Sequence, residues 1–173
     1  KQAPLIFDNV YAMNNIKLLK DHFPRICIIN LYRDPYFVCN SVLNARLKRY
    51  NDVRAFHHHL PRNIQELRQV KDPVEQIVLQ VKSILVEIQD DITNFSHNDI
   101  FNVTYENIKA QPLLVIKKFS EFLTNHNIDV KRKSGLPVDP MPNRDTTSLI
   151  PVEYRDQLDR HFERQFPGKS RPQ

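Results

Sequence analysis

The sequence predicts an α/β fold, a parallel sheet flanked by helices. Two short apolar runs, Ile26-Cys-Ile-Ile-Asn-Leu-Tyr32 and Asp99-Ile-Phe-Asn-Val-Thr-Tyr105, are rich in β-branched and aromatic residues, and the first stops dead at Asp34-Pro35. Such runs are the pattern of strands. Between and after them lie segments with apolar residues at helical spacing, the longest starting at Asp72. Strands alternating with helices imply βαβ units and a parallel sheet. A length of 173 residues suits one domain with a sizeable core, taken as residues 1–173.

Each element has its own warrant. Leu5-Ile6-Phe7-Asp8 reads as a short strand end. Asn14 or Asn15 is a candidate cap for a helix carrying Ile16, Leu18, Leu19 and Phe23 up to Pro24. The strand at 26–32 leads into a helix over 35–50, where Pro35 fits the first turn because its missing N–H is an orphan there. Residues 51–63 read as a surface loop, followed by a helical turn around 65–70. Val74, Ile77, Val78, Val81, Ile84, Leu85, Ile88 and Ile92 then form one apolar face over five turns. Asp72, Pro73 and Glu75 give that helix a start signal. A strand over 99–105 precedes a helix over 112–123 with Leu113, Ile116, Phe119 and Phe122 on one face. Residues 124–150 are polar, Pro-rich and irregular, and a charged helix over 151–166 closes the domain. The core is expected over 5–125, with 126–173 forming an irregular loop and that last helix.

Composition narrows the function. A formal charge of +5 and a pI near 9.3 favour an anionic ligand or surface. Only two glycines occur, Gly135 and Gly168, so neither common Gly-rich phosphate loop can be present. A kinase-like phosphotransferase therefore ranks low. Cys27 and Cys39 read as small buried hydrophobes rather than a disulfide framework. No apolar run is long enough for a membrane span. Lysines and arginines are scattered among acids, unlike the interleaved basic and aromatic face of a nucleic-acid binder. His57-His58-His59 lacks the separated, turn-spaced partners of a zinc site, and is expected to be a solvated loop.

The candidate site starts at Arg33. A strand ending there puts a guanidinium at the carboxyl edge of the sheet, where α/β folds bind ligands. The helix N-terminus beside it adds N–H donors for an anion. Ser41 follows eight positions later, about two turns into the helix. The alternative reading pairs Arg33 with its neighbour Asp34. If the two strands pair, Tyr105 emerges at the same edge, its ring free to pack on a base. Arg132-Lys133-Ser134-Gly135 is a basic loop able to cradle a phosphate with backbone N–H groups and two cations.

Taken together these segments resemble the sulfotransferase family, which transfers a sulfuryl group from 3′-phosphoadenosine 5′-phosphosulfate (PAPS) to a hydroxyl or amine. Residues 18–41, Leu-Leu-Lys-Asp-His-Phe-Pro-Arg-Ile-Cys-Ile-Ile-Asn-Leu-Tyr-Arg-Asp-Pro-Tyr-Phe-Val-Cys-Asn-Ser, are similar to the family's 3′-phosphate segment. The resemblance implies a P-loop-NTPase-like fold, with Arg33 and Ser41 on the 3′-phosphate. Val103-Thr-Tyr-Glu-Asn-Ile-Lys-Ala-Gln-Pro112 resembles the family's Tyr-Glu-Asp-Leu stretch, which assigns Tyr105 to the adenine. Asp72-Pro-Val-Glu-Gln76 and its helix resemble bacterial-type members. Arg132, Lys133 and Gly135 resemble the loop that closes over the same phosphate, with an extra serine and without the family's following Gly-Asp-Trp.

What the resemblance omits is equally specific. The Lys-x-Gly-Thr-Thr loop that cradles the 5′-phosphosulfate is not in this sequence, and Asp8-Asn-Val-Tyr11 stands where bacterial-type members often carry Asp-Lys-Thr-Pro. No histidine matches the family's general base, and His22 reads as structural. The expectation is therefore a PAPS-dependent sulfotransferase domain, incomplete at its N-terminus, supplying the 3′-phosphate and adenine side of the donor site and releasing 3′-phosphoadenosine 5′-phosphate (PAP). Its acceptor is expected to be a small molecule or glycan, with no metal, no nucleic acid and no membrane span. The expected compartment is the cytoplasm, or a Golgi-type lumen if the domain is cut from an anchor. The alternative is a degenerate, non-catalytic module that binds a nucleotide or a partner.

Overall fold

The computed structural model describes residues 6, 15–23, 25–57, 59–129 and 150–169. The elements follow the order α1 (Ile16–His22), β1 (Ile28–Tyr32), α2 (Pro35–Tyr50), α3 (Ile64–Leu67), α4 (Pro73–Ile92), a 3-10 turn (His97–Asp99), β2 (Ile100–Thr104), α5 (Tyr105–Ala110), α6 (Pro112–Asn125) and α7 (Val152–Gln165). The fold is α/β, mostly helical, with a two-stranded parallel sheet among the described residues. The register runs from Ile28 opposite Ile100 to Tyr32 opposite Thr104.

Three helices make the main core. Tyr36, Cys39, Val42 and Leu43 of α2 pack with Val74, Ile77, Val78 and Val81 of α4 and with Leu158 and Phe162 of α7. Phe162 is fully buried and meets Tyr36 edge-on at 5.2 Å. The Tyr36 hydroxyl donates to Asp159 at 2.5 Å. Both long helices start as their sequences dictate. Asp34 Oδ1 accepts the Tyr36 N–H at 2.8 Å and Pro35 opens α2. Asp72 Oδ1 accepts the N–H groups of Val74 and Glu75, and Pro73 opens α4. Burial works against charge on Asp72, yet those N–H groups and the ring of His161, 2.8 Å from Oδ2, outweigh it and hold the carboxyl below its usual range. Glu75 does not turn back on the cap as a capping box would, because its carboxylate bonds Arg164 of α7.

The sheet rests on a second, smaller cluster. Ile28 and Ile100 lie with Ile92, Phe95, Ile16 and Ile88. Strand residues alternate between faces, so Ile29, Leu31, Phe101 and Val103 look the other way. On that side α6 covers β2 through Phe101, whose ring lies 5.2 Å from Phe119 and 5.4 Å from Phe122. β1 is left bare there, with Ile29 52% and Leu31 57% exposed.

The structure differs from the sequence reading at several points. The predicted first strand is shortened, since 26 and 27 precede β1. Of the strand end at 5–8 only Ile6 is described, and it is exposed and outside any strand. Tyr105 is not the end of a strand but the first residue of α5, a helix the apolar pattern did not signal. Thr104 caps it by accepting the Asn107 N–H at 3.0 Å. Cys39 is buried, whereas Cys27 is only partly so. The expected solvated histidine loop is also corrected. His57 and His59 are buried, because Gln80 of α4 donates to both of their carbonyls and draws the loop onto the helix. No described helix is long and apolar enough to cross a membrane.

Candidate functional site

Parallel pairing in register fixes the site. The ladder ends at Tyr32 opposite Thr104, so the next residues, Arg33 and Tyr105, leave the sheet side by side at its carboxyl edge. The Arg33 guanidinium carbon lies 4.9 Å from the Tyr105 ring centroid and 5.5 Å from that of Phe37. Phe37 is in the first turn of α2, four residues after Arg33.

The charge at this edge is not neutralised locally. Asp34 turns its Oδ1 to the Tyr36 N–H, which is why the adjacent carboxylate does not claim the guanidinium. Arg33 makes no ion pair among the described residues. Its Nε is buried and meets no hydrogen-bond acceptor among them. Among the described residues no acceptor meets the N–H groups of this guanidinium, which faces two rings. The N-terminus of α2 begins beside it and adds a positive dipole end.

Ser41 is exposed on α2. It lies one turn beyond Phe37, and residues four apart share a helix face, so the strip that meets Arg33 continues to Ser41. Arg132, Lys133 and Gly135 lie outside the described residues. The structure thus brings Arg33 and Tyr105 together and puts Ser41 on the helix strip beside them. A groove of about 580 Å³ along α6, with Leu113, Ile116 and Lys117 among its lining, includes none of these residues.

Phe37 was missed by sequence reasoning. The signal was available: in Arg33-Asp-Pro-Tyr-Phe37, a helix opened by Pro35 brings its third residue back over the strand end. The pairing of Tyr105 with Arg33, in addition to any base, was missed as well.

A second charged cluster lies in the interior. Arg46 of α2 is fully buried and donates to Gln76 Oε1 at 2.8 Å, Gln80 Oε1 at 2.7 Å and the Val53 carbonyl at 2.9 Å. Its guanidinium also lies 4.9 Å from the Phe56 ring centroid. Burial without a contacting carboxylate pushes its pKa down to about 10, against a weaker opposing pull from Asp52. These partners are the Val53 carbonyl and the side-chain amides of Gln76 and Gln80, so the cluster ties the loop after α2 to α4. Its role is architectural.

Fold and edge together define an α/β protein with a small parallel sheet and, at the sheet's carboxyl end, an arginine that no described carboxylate pairs. The chain matches no family model, no curated protein and no solved structure.

Proposed function

We propose that this edge is the 3′-phosphate and adenine side of a sulfotransferase donor site, and that the chain belongs to a PAPS-dependent enzyme with a P-loop-like sulfotransferase fold. The observation that carries the reading is Arg33, a strand-end guanidinium without a carboxylate partner among the described residues, flanked by Tyr105 and by the N-terminus of α2. Arg33 would take the 3′-phosphate as a bidentate donor, Ser41 would add its hydroxyl, and Tyr105 would offer its ring to the base. Arg132, Lys133 and Gly135 are proposed to close over the same phosphate.

Sulfuryl transfer is an in-line displacement that moves charge onto the bridging phosphate oxygen. It needs donors aimed at that oxygen and a base for the acceptor's proton. The residues named here grip the far end of the donor and fix its position, which is a contribution of orientation. The proposed acceptor is a small molecule or glycan. A cytoplasmic location is proposed with it, supported by two free thiols at Cys27 and Cys39.

The test is calorimetric titration with PAP and with adenosine 5′-monophosphate, on the native chain and on Arg33→Ala. PAP is expected to bind at least tenfold more tightly than the monophosphate, a difference of about 1.4 kcal/mol, and Arg33→Ala to erase that preference. Equal binding of the two nucleotides by the native chain would remove the proposal. Binding of PAP without turnover of PAPS in the presence of acceptors would favour the non-catalytic module.

A further inference from the structure

Arg33 faces a problem common to long cationic side chains at open edges. Its stem has several rotatable bonds, and a guanidinium recognises a phosphate well only when its plane is fixed. No carboxylate among the described residues fixes it. What lies against it are two rings from different elements: Tyr105, which opens α5, and Phe37 in the first turn of α2. Tyr105 is assigned to the ligand by the donor-site reading. Phe37 is not.

The surroundings of Phe37 suit a fixed support. Its ring is partly buried and packs against the main core, and it lies 6.2 Å from the fully buried Tyr36 in an edge-on arrangement. Tyr36 is in turn held by Asp159 and Phe162 of α7. The Arg33 plane is thereby tied through Phe37 to the three-helix core, while its remaining N–H edge stays unclaimed.

We propose that Phe37 is the positioning residue for the Arg33 guanidinium, and that its ring sets how strongly this edge prefers a nucleotide with a second phosphate monoester. The inference rests on the donor-site reading for its ligand, but not for the positioning itself. Phe37 touches no phosphate. It acts by limiting the orientations of Arg33, so its effect exists only while Arg33 is present.

The experiment combines ligand titration with a ligand-free readout. PAP and adenosine 5′-monophosphate are titrated into the native chain, Phe37→Leu, Phe37→Tyr, Arg33→Ala and the double variant. In parallel the Arg33 Nε–H resonance is followed by nitrogen–proton correlation in the ligand-free chain, identified by its disappearance in Arg33→Ala. In Phe37→Leu, PAP binding is expected to weaken about fivefold, the scale of one exposed cation–π contact, with the monophosphate changed less than twofold. Solvent exchange of the Nε–H is expected to accelerate. Phe37→Tyr, which keeps an aromatic face, restores both, and Phe37→Leu adds nothing in the Arg33→Ala background. An unchanged Nε–H exchange in Phe37→Leu overturns the proposal. So does an equal loss of PAP affinity with and without Arg33, or a PAP preference that survives Phe37→Leu intact. If the native chain does not prefer PAP while Phe37→Leu still accelerates the exchange, the donor-site reading fails and the positioning of Arg33 by Phe37 stands.

Discussion

At the scale of single residues, the two arginines of α2 and its approach show how context decides what the same side chain does. Arg33 has rings for neighbours and, among the described residues, neither a hydrogen-bond acceptor nor a carboxylate partner. Arg46 also faces a ring and leaves its Nε unmet, but its terminal N–H groups are taken by amide and carbonyl oxygens at 2.7–2.9 Å. Removing Arg46 would leave the Gln76 and Gln80 carbonyls and the Val53 carbonyl without their donor in a buried place. Arg46→Ala is therefore expected to cost about 3 kcal/mol, read from urea unfolding midpoints. A loss near zero would mean that the loop repacks and the cluster holds nothing. Arg33→Ala, by contrast, is expected to change ligand preference with little effect on stability.

Between elements, His126 ties the end of α6 to the turn before β2. Its Nδ1–H donates to the Phe122 carbonyl at 2.8 Å, and Nε2 faces Asp99 Oδ1 at 3.1 Å. The Phe122 carbonyl raises the pKa of His126 above its usual value; burial opposes it, and the hydrogen bond and charge of Asp99 add to the rise. The sign follows from linkage. A raised folded-state pKa gives stabilisation that is complete below the unfolded value of about 6.5 and is lost as the pH climbs through the folded value. The urea midpoint is expected to fall between pH 6 and pH 8, and His126→Gln to flatten that slope. An identical slope in the variant would assign the dependence to another group.

Elements with strong local signals were legible in the sequence. α2 and α4 begin where Asp-Pro places them, and the apolar face of α4 packs on the main core from Val74 to Leu85 and on the sheet cluster at Ile88 and Ile92. α5 was not legible, because six residues carry too little periodicity and its start depends on a single Thr104 cap. The burial of His57 and His59 was hidden for another reason. It is imposed by Gln80, a residue whose own burial no pattern announces. The site was half legible: pattern put Arg33 and Tyr105 at strand ends, but only the register of β1 with β2 puts them side by side.

On the scale of the whole molecule, stability is unevenly shared. The interface of α2, α4 and α7 holds most of the completely buried side chains, whereas the outer face of β1 and the stripe of α6 with Leu113 and Ile116 are open to solvent. Phe162→Ala is expected to cost about 3–5 kcal/mol, and Ile29→Ala less than about 1 kcal/mol. The comparison is made by parallel thermal and urea unfolding. Similar costs at the two positions would mean that the β1 face is covered in solution.

The order of synthesis adds a constraint on the edge. Asn30 of β1 donates to Asn102 of β2 at 3.0 Å across a separation of 72 positions, and contacts so distant in sequence are entropically late to close. A nascent chain that has emerged only as far as α4 already holds Arg33 and Phe37 but not Tyr105, and β1 has not yet met β2. The edge that joins Arg33 to Tyr105 thus comes into being only once β2 has left the ribosome and found β1, long after its arginine was made.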